Sequence, residues 1–281
     1  MVLFRDISKN AADVISKDFP HEKPWEAEIR SKSGNFSFTQ QAMVLPAGSV
    51  LDANSSLKFA NKDVSVEGKF FVNGSVTFDA KYTGDYTKGL ILNARFDRRK
   101  GKTTSDNVEV AAEYQNKGIH GKATVLPYQG MWTSQAMAEY KSFKLGGELM
   151  GNFDMTNLKY SMGASYANNQ WTGSLKTQME GTNPFAKLLL NVHCKYGATE
   201  VGTEVAHALA DSKTGMSFGG KYVVDNNTFI KARLSQDAKV AIAVNHTFSP
   251  LLNATMGFQF DGLNVSNADA IKYGLKLNFA Q

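Results

Sequence analysis

Lys9, Asp13 and Lys17 recur at intervals of four near the start of the chain. On an α-helix that spacing stacks them along one side. Further on, Lys81, Arg95, Lys272 and Lys276 each sit on the polar side of an alternating segment, as do Glu109, Glu113 and Glu148. None of these groups is arranged for bond-making chemistry. No nucleophile stands beside a base, and acids in neighbouring segments need a closed site to work as a dyad. One Cys and five scattered His provide no metal-ligand spacing, so no metal or cofactor is expected. What these residues can make is a field. Amines along a wet wall lower the barrier for phosphate-bearing solutes, and the interspersed acids hold this to a modest anion preference. The narrowest charge is expected at Lys9, Asp13 and Lys17.

The elements that must hold them are mostly strands. From Trp25 onward, apolar and polar residues alternate with a period of two, broken about every dozen residues. In 74–83, Val76, Phe78, Ala80 and Tyr82 oppose Ser75, Thr77, Asp79 and Lys81. In 271–280, Tyr273, Leu275, Leu277 and Phe279 oppose Lys272, Gly274, Lys276 and Asn278. Nineteen such segments are predicted, from 25–32 to 271–280, with the third at 54–61 and the thirteenth at 185–196. Each takes about 13 residues with its turn, which suits a membrane strand of ~9–11 residues and a short connection. Asn73-Gly74, Asn116-Lys117-Gly118, Asn168-Asn169 and Asp225-Asn226-Asn227 mark turns. The polar side is charged, hence wet. Tyr82, Tyr114, Tyr166, Tyr196 and Tyr222 close apolar faces, as an interfacial girdle would. A barrel of this size leaves an aqueous channel.

Before the strands, 4–17 is the one helical stretch. Phe4, Ile7, Ala11, Val14 and Ile15 form an apolar stripe, and Pro20 and Pro24 end it. At 1.5 Å per residue it reaches only ~21 Å, too short and too charged to span a bilayer. It is placed inside the pore, weakly anchored by its polar face and mobile. Residues 1–24 thus form a helix and linker within the pore, and 25–281 the barrel.

Composition agrees. A mean hydropathy of −0.30 suits a wall wet on one side. The net charge of +5 is spread through the strands, without the clustered patch that nucleic acid would need. The first twenty residues lack the continuous apolar run of a secretory signal, which points to an organelle outer membrane reached from the cytosol. Cys194 falls in register with Leu190, Val192 and Tyr196 and reads as filler on a lipid face. His193, His207 and His246 read as ordinary strand residues.

Along its whole length the chain resembles the voltage-dependent anion channels, the eukaryotic porins of mitochondria. The start, Asp6-Ile7-Ser8-Lys9-Asn10-Ala11-Ala12-Asp13-Val14 with Lys17, is similar to that family's pore helix. Phe260-Asp261-Gly262-Leu263-Asn264-Val265, with Lys272 to Phe279, is similar to its last hairpin. Lys272, Gly274, Leu277 and Phe279 fill the four defined places of the mitochondrial β-signal. Lys88-Gly89-Leu90 sits where the family has a nucleotide-associated motif, with Ile91 in place of its second basic residue. That nineteen strands close this family's barrel is a known example.

The resemblance implies a nineteen-stranded all-β transmembrane barrel with the helix inside and its first and last strands parallel. It implies a voltage-gated, weakly anion-selective channel of the mitochondrial outer membrane passing ATP, ADP, phosphate and small ions. Lys9, Lys17 and Lys88 are then the nucleotide-contact candidates. Outer-membrane lipid, the insertion machinery and a homo-oligomer are the implied partners. Many members carry a lipid-facing glutamate in the fourth strand, where this chain has Gly68, so hexokinase docking tied to that acid is not expected. The alternative is a protein-import channel of the same architecture. That family usually has a longer N-terminal extension and a more acidic lumen.

Overall fold

The structure is a computed structural model that describes residues 3–44, 51–84, 89–100, 105–180, 183–266 and 270–281. Its strands are β1 (Trp25–Ser33), β2 (Phe36–Val44), β3 (Leu51–Ala60), β4 (Val64–Phe71), β5 (Val76–Tyr82) and β6 (Leu90–Arg99). They continue as β7 (Ser105–Asn116), β8 (Ile119–Leu126), β9 (Met131–Tyr140), β10 (Phe143–Asn152), β11 (Lys159–Ala167) and β12 (Trp171–Glu180). The last are β13 (Asn183–Tyr196), β14 (Thr199–Ala208), β15 (Thr214–Val223), β16 (Thr228–Ser235), β17 (Lys239–Ser249), β18 (Leu252–Asp261) and β19 (Ile271–Ala280). Each pairs antiparallel with the next, and β1 pairs parallel with β19, Trp25 beside Leu275 and Arg30 beside Ala280. An odd number of strands cannot alternate direction all the way round, so one parallel seam is forced. Closure leaves no unpaired edge, and the ladder satisfies the backbone groups that hydrocarbon cannot.

Polarity is inside out. On β1, Trp25 and Ile29 are exposed on the outer face while Glu26 and Glu28 are buried on the inner one. Phe78, Leu92, Val110, Leu190, Phe218 and Met256 continue the exposed apolar face around the barrel. In water such a surface would aggregate; hydrocarbon solvates it. No described helix is long and apolar enough to cross a membrane.

All nineteen predicted strands are present, and some ends differ. β3 starts at Leu51, opposite Val44, because Asp52 and Asn54 face the lumen and their polarity does not break the pattern. β13 reaches back to Asn183 across a register shift between Gln178 and Glu180. Gly74 and Gly118 hold the left-handed turn positions, and Asn168 accepts the amides of Gln170 and Trp171. Tyr82, Tyr114, Tyr166, Tyr196 and Tyr222 all end odd-numbered strands or lie one or two residues from that end, so they share one rim.

The helix is shorter than the predicted 4–17. A 3₁₀ turn covers Phe4–Asp6, Ile7 and Ser8 form a turn that interrupts the helix, and α1 runs only Lys9–Ser16. The break lets one apolar stripe reach two wall sites. Phe4 and Ile7 pack on Met137 of β9, while Ala11, Val14 and Ile15 turn toward β14 and β15. A second 3₁₀ turn, Pro20–Glu22, leads to β1.

Candidate functional site

The site is the lumen and the segment that lies in it. α1 has eight residues and would not be stable alone. It persists because the wall is shaped for it. Gly202 of β14 and Gly219 of β15 face each other across the ladder. A Cβ on Gly202 would stand 2.9 Å from the Ala11 carbonyl oxygen, and one on Gly219 would stand 3.1 Å from Ile15 Cα. Gly257 and Gly274, opposed across β18 and β19, repeat the device. A Cβ on Gly257 would lie 2.8 Å from Pro20 Cδ, and one on Gly274 would clash with the carbonyl oxygens of Pro20 and Lys23. Two glycine pairs thus make two notches, one for the helix and one for the linker. The sequence-based expectation of a weak anchor through the polar face is corrected: the apolar face meets the wall, and Lys9, Asn10, Ser16 and Lys17 face the water.

Lys231 of β16 completes the attachment. Its side chain is only 4% exposed. Its ammonium donates to the Asp13 carbonyl (2.8 Å), the Lys17 carbonyl (3.0 Å) and the Asp18 carboxylate (3.3 Å). The last turn of a helix presents unpaired carbonyls and partial negative charge, which a cation satisfies. Arg233, on the same strand, and Lys231 both stand over the Phe19 ring, at 5.3 and 5.9 Å. Phe19 itself packs on Ala241 and Ala243.

His21 is buried beside this cluster, and its Nδ1 has no hydrogen-bond partner. Burial first, and then the Arg233 charge, hold its imidazole below the usual histidine range.

The residues singled out in the sequence fall as follows. Lys9 and Lys17 are exposed on the lumen side of α1 or just after it, with Asp13 partly covered between them. Lys81, Arg95, Lys272 and Lys276 lie on the inner face, opposite Asn93, Glu109, Gln259 and Thr255 respectively. Among the described residues, Lys9, Lys17, Lys81, Arg95 and Lys272 have no carboxylate within ion-pair distance, and Asp13 has no cation there. Lys276 is different: it pairs with Glu26 at 2.6 Å, and Glu26 also takes Lys23 and Gln41. The inward acids singled out in the sequence each have a basic side chain nearby. Glu148 accepts from Arg5 at 2.6 Å, Glu113 from His120 at 2.7 Å, and Glu109 lies 3.9 Å from Lys122.

Lys88 lies outside the described residues. Gly68 is on the lipid face, where a Cβ would meet the Phe78 ring at 3.2 Å, and Glu67 is on the opposite side, across from Lys58 and Asp79. Leu277 and Phe279 are on the outer face, and Gly274 and Lys272 on the inner one. A cavity of about 500 Å³ opens between the linker and β16–β19, bordered by Lys17, Lys23, Glu26, Asn253 and Lys276. Sequence reasoning missed Lys231, His21 and the notches, of whose four glycines it named only Gly274, and that as part of the insertion signal. Only the glycines leave a trace in the pattern, as inner-face positions without a side chain in adjacent strands.

The family model for eukaryotic porin matches residues 1–274. A mitochondrial outer membrane protein porin of Candida albicans is 22% identical over 99% of this chain and 98% of its own. Porin 1 of Oryza sativa is 21% identical over 98% and 97%, and the 34 kDa porin of Solanum tuberosum 25% over 98% and 96%. Among solved structures, a triple mutant of Rhodopseudomonas blastica porin superimposes with a TM-score of 0.53 at 9% identity, covering 74% of this chain and 89% of that one. That likeness is one of fold. A closed barrel with a wet, charged lumen, matched by the family over residues 1–274, identifies this chain as a member of the eukaryotic porin family, a non-enzymatic β-barrel pore for small solutes in the mitochondrial outer membrane.

Proposed function

We propose that the pore is a voltage-gated, weakly anion-selective diffusion channel for ATP, ADP, phosphate and other small metabolites and ions. The observation that supports this reading most is the unequal pairing of lumen charge. Lys9, Lys17, Lys81, Arg95 and Lys272 make no ion pair, whereas Glu26 and Glu148 are each bound to a lysine or arginine. Unpaired cations attract anions, and acids held by a cation repel them less. Lys9 and Lys17, with Lys88, are the nucleotide contacts in this reading; Lys17 also borders the cavity beside the linker. A helix carrying exposed charge within the lumen is the element that a transmembrane potential can bias.

Planar-bilayer recording in a salt gradient tests the reading. Discrete conductance steps that close at either voltage sign, with a reversal potential on the anion side, are expected. A cation-side reversal potential would overturn the selectivity. Removing residues 1–20 is expected to weaken voltage-dependent closure while the barrel still inserts; unchanged closure would move the gate to the wall.

Lys272, Gly274, Leu277 and Phe279 are proposed as the signal read by the outer-membrane insertion machinery. Assembly into homo-oligomers is the further partner proposal, read by crosslinking in native membranes.

A further inference from the structure

We propose that Lys231 is the positioning residue of the pore: it holds α1 on the wall and thereby sets where Lys9 and Lys17 stand in the lumen. Three observations carry this. The ammonium is almost completely enclosed, at 3% residue exposure, although it lies on a face that is otherwise wet. All three of its N–H donors have a partner, and all three partners belong to the N-terminal segment rather than to the barrel. Two of those partners are backbone carbonyls four residues apart, Asp13 and Lys17.

The last point gives the contact its selectivity. Asp13 lies in the last turn of α1, whereas Lys17 caps it with an extended ψ of 149°, so the two carbonyls meet at one donor where the helix gives way to the linker. Lys231 therefore recognises the end of the helix, and docking depends on the helix stopping there. The chain around it agrees. Ser16 donates to the Ala12 carbonyl at 2.7 Å, which leaves the Asp13 and Lys17 carbonyls for the lysine. Asp18 takes up a left-handed φ of 64°, where the chain turns away and its carboxylate meets the same ammonium. With the segment gone, Lys231 would face lumen water with no burial to offset. The contact acts on the docked state alone.

The neighbouring Lys221 provides a control. It lies directly opposite Lys231 across β15 and β16, and its ammonium stands 5.0 Å from the Phe229 ring instead of on the helix. Losing it removes the same wall charge without touching α1.

The test reads a buried thiol. In a Cys194→Ser background, Val14→Cys places one thiol on the face of α1 that packs against the wall. Its reaction with a charged, water-soluble thiosulfonate in proteoliposomes reports undocking. Lys231→Met keeps the stem and deletes the donors. It is expected to raise the rate at least fivefold, whereas Lys221→Met leaves it unchanged. A smaller rise, or an equal rise in Lys221→Met, overturns the proposal. If Lys231→Met fails to assemble, Asp18→Asn carries the test: at least a twofold rise is expected, and less than that overturns it. The reversal potential is expected to move further in Lys231→Met than in Lys221→Met, because the first displaces Lys9 and Lys17 as well. The inference rests on the pore reading only for this second measurement. A protein that does not conduct would sink the channel proposal and leave the thiol result standing.

Discussion

Gly257 of β18 and Gly274 of β19 face each other directly beneath Pro20, and neither position has room for a methyl group. Gly274→Ala is expected to lift the linker off the wall, since overpacking of this kind costs about 1–3 kcal/mol. Trypsin cleavage after Lys17 in proteoliposomes measures it: cleavage should accelerate several-fold in Gly274→Ala while the barrel assembles normally. Equal resistance in the variant and the parent would show that the notch is not a seat.

The outer half of the same strand separates from the inner half. Leu277→Asp or Phe279→Asp puts a carboxylate on the lipid face, at a cost below the roughly 2–4 kcal/mol of a lysine or arginine at the bilayer middle. If these residues are also read by the insertion machinery, import into isolated mitochondria should fall further than for Val244→Asp, which makes the same chemical change on β17. An equal loss in both variants would leave only the hydrophobic cost.

His21 gives the linker a pH dependence. Its imidazole is harder to protonate when docked, because burial and then Arg233 disfavour the cation; Lys272 adds to this, while Glu22 and Gln259 oppose it. The docked state therefore binds fewer protons than the free one. Its stability is fully present above the ordinary histidine value and is lost as pH falls through that value toward the lowered one. The Val14→Cys thiol should react faster at pH 5.5 than at pH 7.5, after correction for reagent chemistry with a free thiol. His21→Phe should flatten the profile. A profile that survives this change would locate the titrating group elsewhere.

Glu26 gathers Lys23, Lys276 and Gln41 on one carboxylate. Glu26→Gln keeps the shape and releases both amines into the lumen field. The reversal potential in a salt gradient should move further to the anion side. Movement the other way would show that these amines do not reach the permeation path.

Much of the barrel was legible because lipid and water impose a period of two on every strand. A residue such as Phe78 or Lys81 reports its side by its chemistry alone. Where that chemistry was indifferent, legibility failed. The predicted third strand begins only at residue 54, because a residue such as Asp52 suits a lumen face and a turn equally. Lys231 is, letter for letter, one more inner-face lysine among many; its enclosure comes from residues some 215 positions earlier in the chain. Gly202, Gly219 and Gly257 draw no attention in the sequence and Gly274 reads only as part of the insertion signal, because a missing side chain says nothing about what fills the space. The helix appeared continuous because its apolar stripe is continuous, and only two separate wall sites explain the break at Ile7 and Ser8.

The parallel seam has a consequence for biosynthesis. β1 and β19 are at opposite ends of the chain, and the Glu26–Lys276 pair beside the seam joins one residue from each. The first strand to leave the ribosome has no permanent second neighbour until the last has been made. Closing the ring is thus a completeness check, and a product truncated before β19 keeps two raw edges that mark it as unfinished.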